Sequence, residues 1–249
     1  VSKVPIRQPQ LRWPTPAELP QLIEQKKLQS LSRRAKYLLL HFDTGTLLIH
    51  LGMSGSLRVI PEDTTPAKHD HVDIAFAHHK SIRLTDPRRF GAVLWLGTEP
   101  YTHALLSKLG PEPLSTGLTG HYLYQQSRQR KVSIKQFLMN QNIVTGIGNI
   151  YCAETLFHAG IHPLRAAGRI SLRRYQHLVI EIKKTLVLAI TQGGTSLRDF
   201  VGSDGKPGYF KQELNVYGRS GQPCKHCKTL LTEVKQANRS TVYCSHCQT

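Results

Sequence analysis

The chain has 249 residues, and its 33 lysines and arginines outnumber 16 acidic residues to give a formal net charge of +17. That length leaves room for about two domains with cores of their own, and the charge points to a polyanionic partner, nucleic acid before any other. An anionic membrane surface is the competing partner, but no apolar run approaches the ~20 residues of a spanning helix and the first residues do not read as a signal peptide.

Residues 1 to about 30 begin without a clear start: Val4-Pro5-Ile6 and Leu11-Arg12-Trp13-Pro14 look like a strand and a turn already under way. From Lys36 onward the pattern is β. Tyr37 to Phe42, Thr46 to Leu51, Ser56 to Ile60, Val72 to Phe76, Ser81 to Thr85 and Ala92 to Leu96 are short segments between turn signals, as in a sandwich or barrel. Val72, Ile74 and Phe76 alternate with Asp73 and Ala75, which predicts a half-buried strand.

Two connections in this half are unusual for loops. Gly52-Met53-Ser54-Gly55 puts an apolar residue at the tip of a glycine-flanked turn, and Asp86-Pro87-Arg88-Arg89-Phe90-Gly91 puts arginine beside an aromatic ring. Either the Met and Phe tuck back into the sandwich, or they form a wedge that enters a DNA duplex while arginine offsets phosphate charge. Between these turns, Lys68-His69-Asp70-His71 has poor spacing for a metal, so solvated or phosphate-contacting histidines are expected.

A domain boundary is expected at Gly110-Pro111-Glu112-Pro113, after which the pattern turns helical. Ser171 can cap a helix in which Leu172, Tyr175, Leu178, Val179, Ile182, Leu186 and Ile190 form a core face, stopping at Gly193-Gly194. Upstream, Thr145-Gly146-Ile147-Gly148-Asn149 precedes a short helix over Ile150 to Ala159. It is either a plain interhelical turn or an anion site of outward N–H groups with Asn149 as a further donor. The nearby Arg128, Arg130, Lys131 and Lys135 favour phosphate, although such a run is also compatible with a solvated face. Ser203 to Phe210, glycine-rich with an aromatic end, is a linker or a lid.

The chain closes on Cys224, Cys227, Cys244 and Cys247, two C-x-x-C pairs around a stretch long enough for a hairpin. Thr229 to Gln236 and Thr241 to Tyr243 supply the strands, and Asn238-Arg239-Ser240 the turn, with Arg239 at the tip. Four thiolates at this spacing fit a closed, structural zinc site; two disulfides or free thiols are the alternative. Cys152 is left over as a small buried hydrophobe, and the cysteine usage suggests a reducing compartment.

Taken in order, Arg33-Arg34-Ala35-Lys36-Tyr37, His50 to Gly55, Thr85 to Gly91, Gly146-Ile147-Gly148-Asn149-Ile150-Tyr151 and the ribbon resemble the motifs of bacterial formamidopyrimidine-DNA glycosylases over nearly the whole chain. The resemblance implies an α+β multidomain protein: a β-sandwich over 1–110, a helix-two-turn-helix DNA-binding domain over 111–205, and a lesion loop with a zinc ribbon over 206–249. It implies excision of oxidised purines from DNA held between the domains, then AP lyase β- and δ-elimination through an imine. Lys36 would contact the lesion and its phosphates and take part in proton transfer. Arg239 would grip phosphate and serve the second elimination. Met53, Arg88 and Phe90 would fill the void left by the everted nucleotide, while His69, Arg88, Arg130 and Asn149 contact DNA and the Ser203 to Phe210 loop covers the flipped base. The implied partner is damaged double-stranded DNA, the cofactor one structural zinc ion, and the setting a monomer in the bacterial cytoplasm, associated with the nucleoid.

The sequence departs from the family pattern at one place. The family starts, after methionine removal, with a nucleophilic proline followed by a glutamate that acts as acid and base; here the sequence starts Val1-Ser2, and about twenty residues of the pattern precede it. Either an active enzyme is given from partway along, or a shortened chain has lost its chemistry and binds damaged DNA without cutting it. The retention of Lys36, Met53, Arg88, Phe90 and Arg239 favours the first. A zinc-ribbon accessory of transcription or RNA processing would leave the two wedge turns idle, and the sister lineage acting on oxidised pyrimidines fits the wedge residues less well.

Overall fold

The computed structural model describes residues 1–194 and 214–249, which form two compact units, 1–107 and 108–194 with 214–249. None of the described helices is long and apolar enough to cross a membrane.

The first unit is a β-sandwich. One sheet has the order β1 (Ser30–Arg34), β2 (Tyr37–Phe42), β3 (Gly45–His50) and β7 (Ala92–Trp95); the other has β4 (Ser56–Pro61), β6 (Lys80–Thr85) and β5 (Asp70–Phe76). All pairs are antiparallel. Registers Leu40↔Leu47 and Leu38↔Ile49 send four apolar side chains to one face, and Val72↔Leu84 and Ile74↔Ile82 do the same opposite. These faces share one core with Val93. Leu19 and Ile23 of the short helix α1 (Leu19–Ile23) complete it, each fully buried. A buried Leu or Ile contributes about 1.5–3 kcal/mol over an exposed one, so this face fixes the register.

Strand β5 corrects the half-buried expectation. Its charged residue Asp73 is only 4% exposed, because the first residues run alongside the strand through bridges Lys3↔Ala75 and Ile6↔Val72. Arg83, its cross-strand partner, donates to both Asp73 carboxylate oxygens at 2.9 Å, and Arg7 adds a further bond. Burial alone raises the Asp73 pKa, but the two arginines outweigh it and hold the carboxyl below its ordinary value.

The second unit is helical, with α2 (Gly120–Ser127), α3 (Ile134–Met139), α4 (Asn149–His158) and α5 (Leu172–Thr191). Thr119, Ser133 and Ser171 each cap a helix through a side-chain oxygen. In α5 the buried face is Tyr175, Leu178, Val179, Ile182, Thr185 and Ala189. Ile190, expected on that face, is 66% exposed; it follows Ala189 by 100° of helical rotation, which turns it to solvent.

The ribbon, β8 (Thr232–Gln236) and β9 (Arg239–Tyr243), packs Val216, Leu231 and Val242 on Ala153 and Phe157 of α4. Glu154, 1% exposed, fastens its approach by accepting from the backbone N–H groups of Asn215, Val216 and Tyr217 at 2.8–3.0 Å. The hairpin turn is Ala237-Asn238, both at positive φ (45° and 61°) as a type I′ turn requires. Arg239 therefore begins β9, opposite Gln236, rather than sitting within the turn.

Candidate nucleic-acid interface

In the first unit the two unusual turns touch. Gly52, at φ +70°, lies so close to the second turn that a Cβ there would sit 2.6 Å from Phe90 C and Gly91 N. Only glycine permits this approach. Asp86, fully buried, shapes the second turn: its carboxylate accepts from Gly91 N–H at 2.7 Å and Arg88 N–H at 3.3 Å. The tips stay out of the core. Met53 is 69% and Phe90 44% exposed, with the Arg88 guanidinium 4.7 Å above the Phe90 ring.

Lys36 is exposed in the β1–β2 turn, beside Ala35 at φ +55°. Next to it, His50 accepts from Gly52 N–H through Nδ1 at 3.1 Å, and its ring packs on Tyr37 at 5.1 Å. Burial first, then the Arg12 and Lys36 charges, push the His50 pKa down against an opposing pull from Asp86. The imidazole is therefore neutral near pH 7.

The His-Asp-His patch is corrected by the structure. His71 is 5% exposed, not solvated, and its Nε2 bonds the Asp86 carbonyl at 2.8 Å. Asp70 is buried against Thr85 and Arg83. Both side chains hold up the Asp86–Gly91 turn, and His69 alone of the histidine pair keeps partial exposure.

In the second unit the basic run divides. Arg128 bonds Tyr124 O, Ser127 Oγ and Ile170 O and stacks on Tyr124 at 3.8 Å, so it is a structural strut. Lys135 is 2% exposed; its Nζ donates to Ser240 O at 2.8 Å and Thr241 Oγ1 at 2.7 Å. Burial, and the Arg239 charge after it, lower its pKa against an upward pull from Cys152. Arg130 and Lys131 remain exposed, with Arg130 Nε tied to Gln126 O.

Asn149, first residue of α4, donates through Nδ2 to the same Ser240 carbonyl at 3.2 Å. Its Oδ1 is buried without a partner among the described residues. Arg239, exposed at the start of β9, is the residue immediately before Ser240. Three residues far apart in sequence, Lys135, Asn149 and Arg239, thus meet at the head of α4. Ser203 to Phe210 lies outside the described residues.

Sequence reasoning missed Asp86, Lys135 and Glu154 as builders of these surfaces. Asp86 had a signal, a carboxylate opening a Pro-containing turn; a buried lysine or glutamate inside a helix has none.

The four ribbon sulfurs lie within 4.8 Å of one another, with Cys224–Cys247 at 3.9 Å and Cys227–Cys244 at 3.4 Å. Sulfurs around a tetrahedral zinc stand about 3.8 Å apart for Zn–S bonds of about 2.3 Å, far beyond the ~2.05 Å of a disulfide. The set fits zinc, with no position left for a substrate. Cys152 is fully buried, and burial pushes its thiol up to about 12.

Comparison with known proteins agrees along the chain. Residues 1–93 match the formamidopyrimidine-DNA glycosylase N-terminal domain, 109–201 the formamidopyrimidine-DNA glycosylase H2TH domain, and 221–249 the zinc finger found in FPG and IleRS. Formamidopyrimidine-DNA glycosylases of Psychromonas ingrahamii and Marinobacter nauticus are 59% and 54% identical over 248 residues, covering all of this chain and 92% of each relative. Among solved structures, the Lactococcus lactis Fpg complex with DNA containing an abasic site superposes with a TM-score of 0.91 at 30% identity, covering 100% of this chain and 92% of that one. The wild-type Lactococcus lactis Fpg complex with DNA containing N7-benzyl-Fapy-dG gives 0.90 at 32%, covering 100% and 91%.

Sandwich, helix-two-turn-helix domain and four-cysteine zinc ribbon define a DNA glycosylase of base-excision repair. The ribbon cysteines are the ligands of its structural zinc. The chain belongs to the formamidopyrimidine-DNA glycosylase family, whose members are bifunctional glycosylase/lyases.

Proposed function

We propose that the protein excises oxidised purines, 8-oxoguanine and formamidopyrimidines, from double-stranded DNA and then cleaves the abasic strand. The observation that carries this reading is the pair of touching turns with Met53 and Phe90 exposed at their tips. A stacked base is reachable only after eversion, and apolar tips backed by a guanidinium suit the gap it leaves. Met53, Arg88 and Phe90 fill that gap. His69, Arg130 and Asn149 contact the DNA backbone, and the functional division falls near residues 110 and 205.

In the proposed chemistry an amine attacks C1′, the C1′–N9 bond breaks, and the base leaves with a proton while an imine forms. Loss of a C2′ proton expels the 3′ phosphate; a second elimination expels the 5′ phosphate. Lys36 serves proton transfer and binds phosphate near the lesion, and Arg239 holds phosphate for the second elimination. The amine in the family pattern is the N-terminal proline, assisted by the glutamate after it. The protein acts as a monomer, in the cytoplasm, on the nucleoid.

The test is borohydride trapping on duplex DNA carrying 8-oxoguanine, with this chain and with one extended by the proline-glutamate segment. Trapping by the extended chain alone supports the reading. Trapping by neither, with both still binding, leaves a damaged-DNA-binding protein without catalysis. Trapping by both makes Lys36 or Val1 the attacking amine.

A further inference from the structure

The stretch Leu11-Arg12-Trp13-Pro14 has no part in the reading above, yet it is built with care. Leu11, 4% exposed, anchors it in the sandwich core. The backbone N–H of Arg12 donates to Gly91 O at 3.1 Å, which ties the stretch to the turn carrying Phe90. The Arg12 guanidinium then lies 4.6 Å from the Trp13 ring centroid. Stacking of this kind sets the direction of an otherwise flexible side chain.

No described residue offers that guanidinium a hydrogen-bond acceptor or a carboxylate, and the Trp13 ring is what it stacks on. Its charge nevertheless reaches functional groups. It opposes the burial that raises the Tyr37 pKa, and it adds to the burial that lowers that of His50, where Lys36 acts too. Tyr37 and His50 are themselves stacked, so two full cations converge on one pair of rings beside the wedge. The carboxylate whose charge reaches His50, Asp86, is fully buried and bonded to its own turn. A planar fork stacked in place, with no carboxylate partner among the described residues, suits a phosphate's oxygens.

We propose that Arg12 is a further phosphate-binding residue of the DNA interface, gripping together with Lys36 a backbone phosphate next to the Phe90 turn. The assignment rests on the DNA-binding reading of the previous section. It makes no claim on sequence, because phosphate contacts position a duplex without reading its bases.

The experiment measures duplex affinity against salt concentration for the unaltered chain, Arg12→Gln, Arg12→Lys and, as an exposed control on β4, Arg58→Gln, with thermal midpoints for all four. Arg12→Gln keeps the stem against Trp13 and leaves the Gly91 bond untouched, so its midpoint is expected to match. Its slope of log affinity on log salt is expected to shrink by about 0.9, the value of one released counterion, equally on damaged and undamaged duplexes. Arg12→Lys should keep the slope, and so should Arg58→Gln. If Arg12→Gln keeps the full slope while the unaltered chain binds steeply, the Arg12 assignment is wrong and the DNA reading stands. If the unaltered chain has no salt-dependent affinity, both fall. A slope reduced as much by Arg58→Gln overturns the assignment as well, since any surface cation would then serve.

Discussion

The ammonium of Lys135 donates to the carbonyl of Ser240 at 2.8 Å across 105 residues of sequence, and it is almost fully buried while doing so. A lysine in α3 therefore braces the ribbon hairpin one residue from Arg239, and the exposed arginine inherits its place from a hidden cation.

Lys135→Ala should remove that brace, leave Thr241 Oγ1 short of its donor and open a cavity. Destabilisation of about 2–4 kcal/mol is expected, read as a lower urea midpoint, together with weaker duplex binding. An unchanged midpoint would show that Asn149 alone holds Ser240.

Arg239→Ala should instead leave the fold intact and weaken DNA binding, lowering the salt slope by about 0.9, whereas Asn149→Ala, which removes a neutral amide, should weaken binding with the slope unchanged. Phe90→Ala should impair eversion more than nonspecific binding. A 2-aminopurine probe next to the lesion reports this; equal losses on damaged and undamaged duplexes would count against a wedge.

Metal removal should act on the ribbon first. Cys244, fully buried, packs with Val216, Leu231 and Val242, so stripping zinc with a strong chelator should expose that small core and abolish DNA affinity. Zinc analysis should give about one equivalent for the intact protein and none for Cys244→Ala. Full affinity in the metal-free protein would detach the ribbon from binding.

The Asp73 carboxyl is held below its ordinary pKa in the folded state. Its contribution is thus complete above the unfolded value of 3.8 and disappears as pH falls through the lower folded value. Thermal midpoints should drop below about pH 4. Asp73→Ala, leaving Arg83 buried and half-paired, should cost about 3–5 kcal/mol at neutral pH and flatten that acid dependence. A midpoint as acid-sensitive as before would place the titration elsewhere.

The residues that announced themselves in sequence did so through short-range chemistry. Strands β2 to β7 are short runs rich in apolar residues between turn signals, and the cysteine pairs have a spacing that few other uses require. Long-range partners hid the rest. Strand β1, Ser30–Arg34, is an edge strand with Leu31 56% exposed, so it has no apolar stripe to find. Helix α1 has five residues, too few to show a helical period. Asp73 read as solvent-facing because its cover comes from Arg7 and Arg83, 66 and 10 residues away. Arg128 and Lys135 read as surface charge because nothing local distinguishes a strut from a phosphate contact. His71 was miscast for the same reason: its acceptor, the Asp86 carbonyl, is 15 residues on.

The contact between Gly52 and the Phe90–Gly91 backbone works as a ruler. The gap between the two tips is set by main chain against main chain, and the Met53 and Phe90 side chains have no share in setting it. Exchanging either tip therefore changes the side chain presented there without moving the other, whereas a single methyl group on Gly52 would push both off their spacing at once. The two tips are free to vary, and the glycine that spaces them is not.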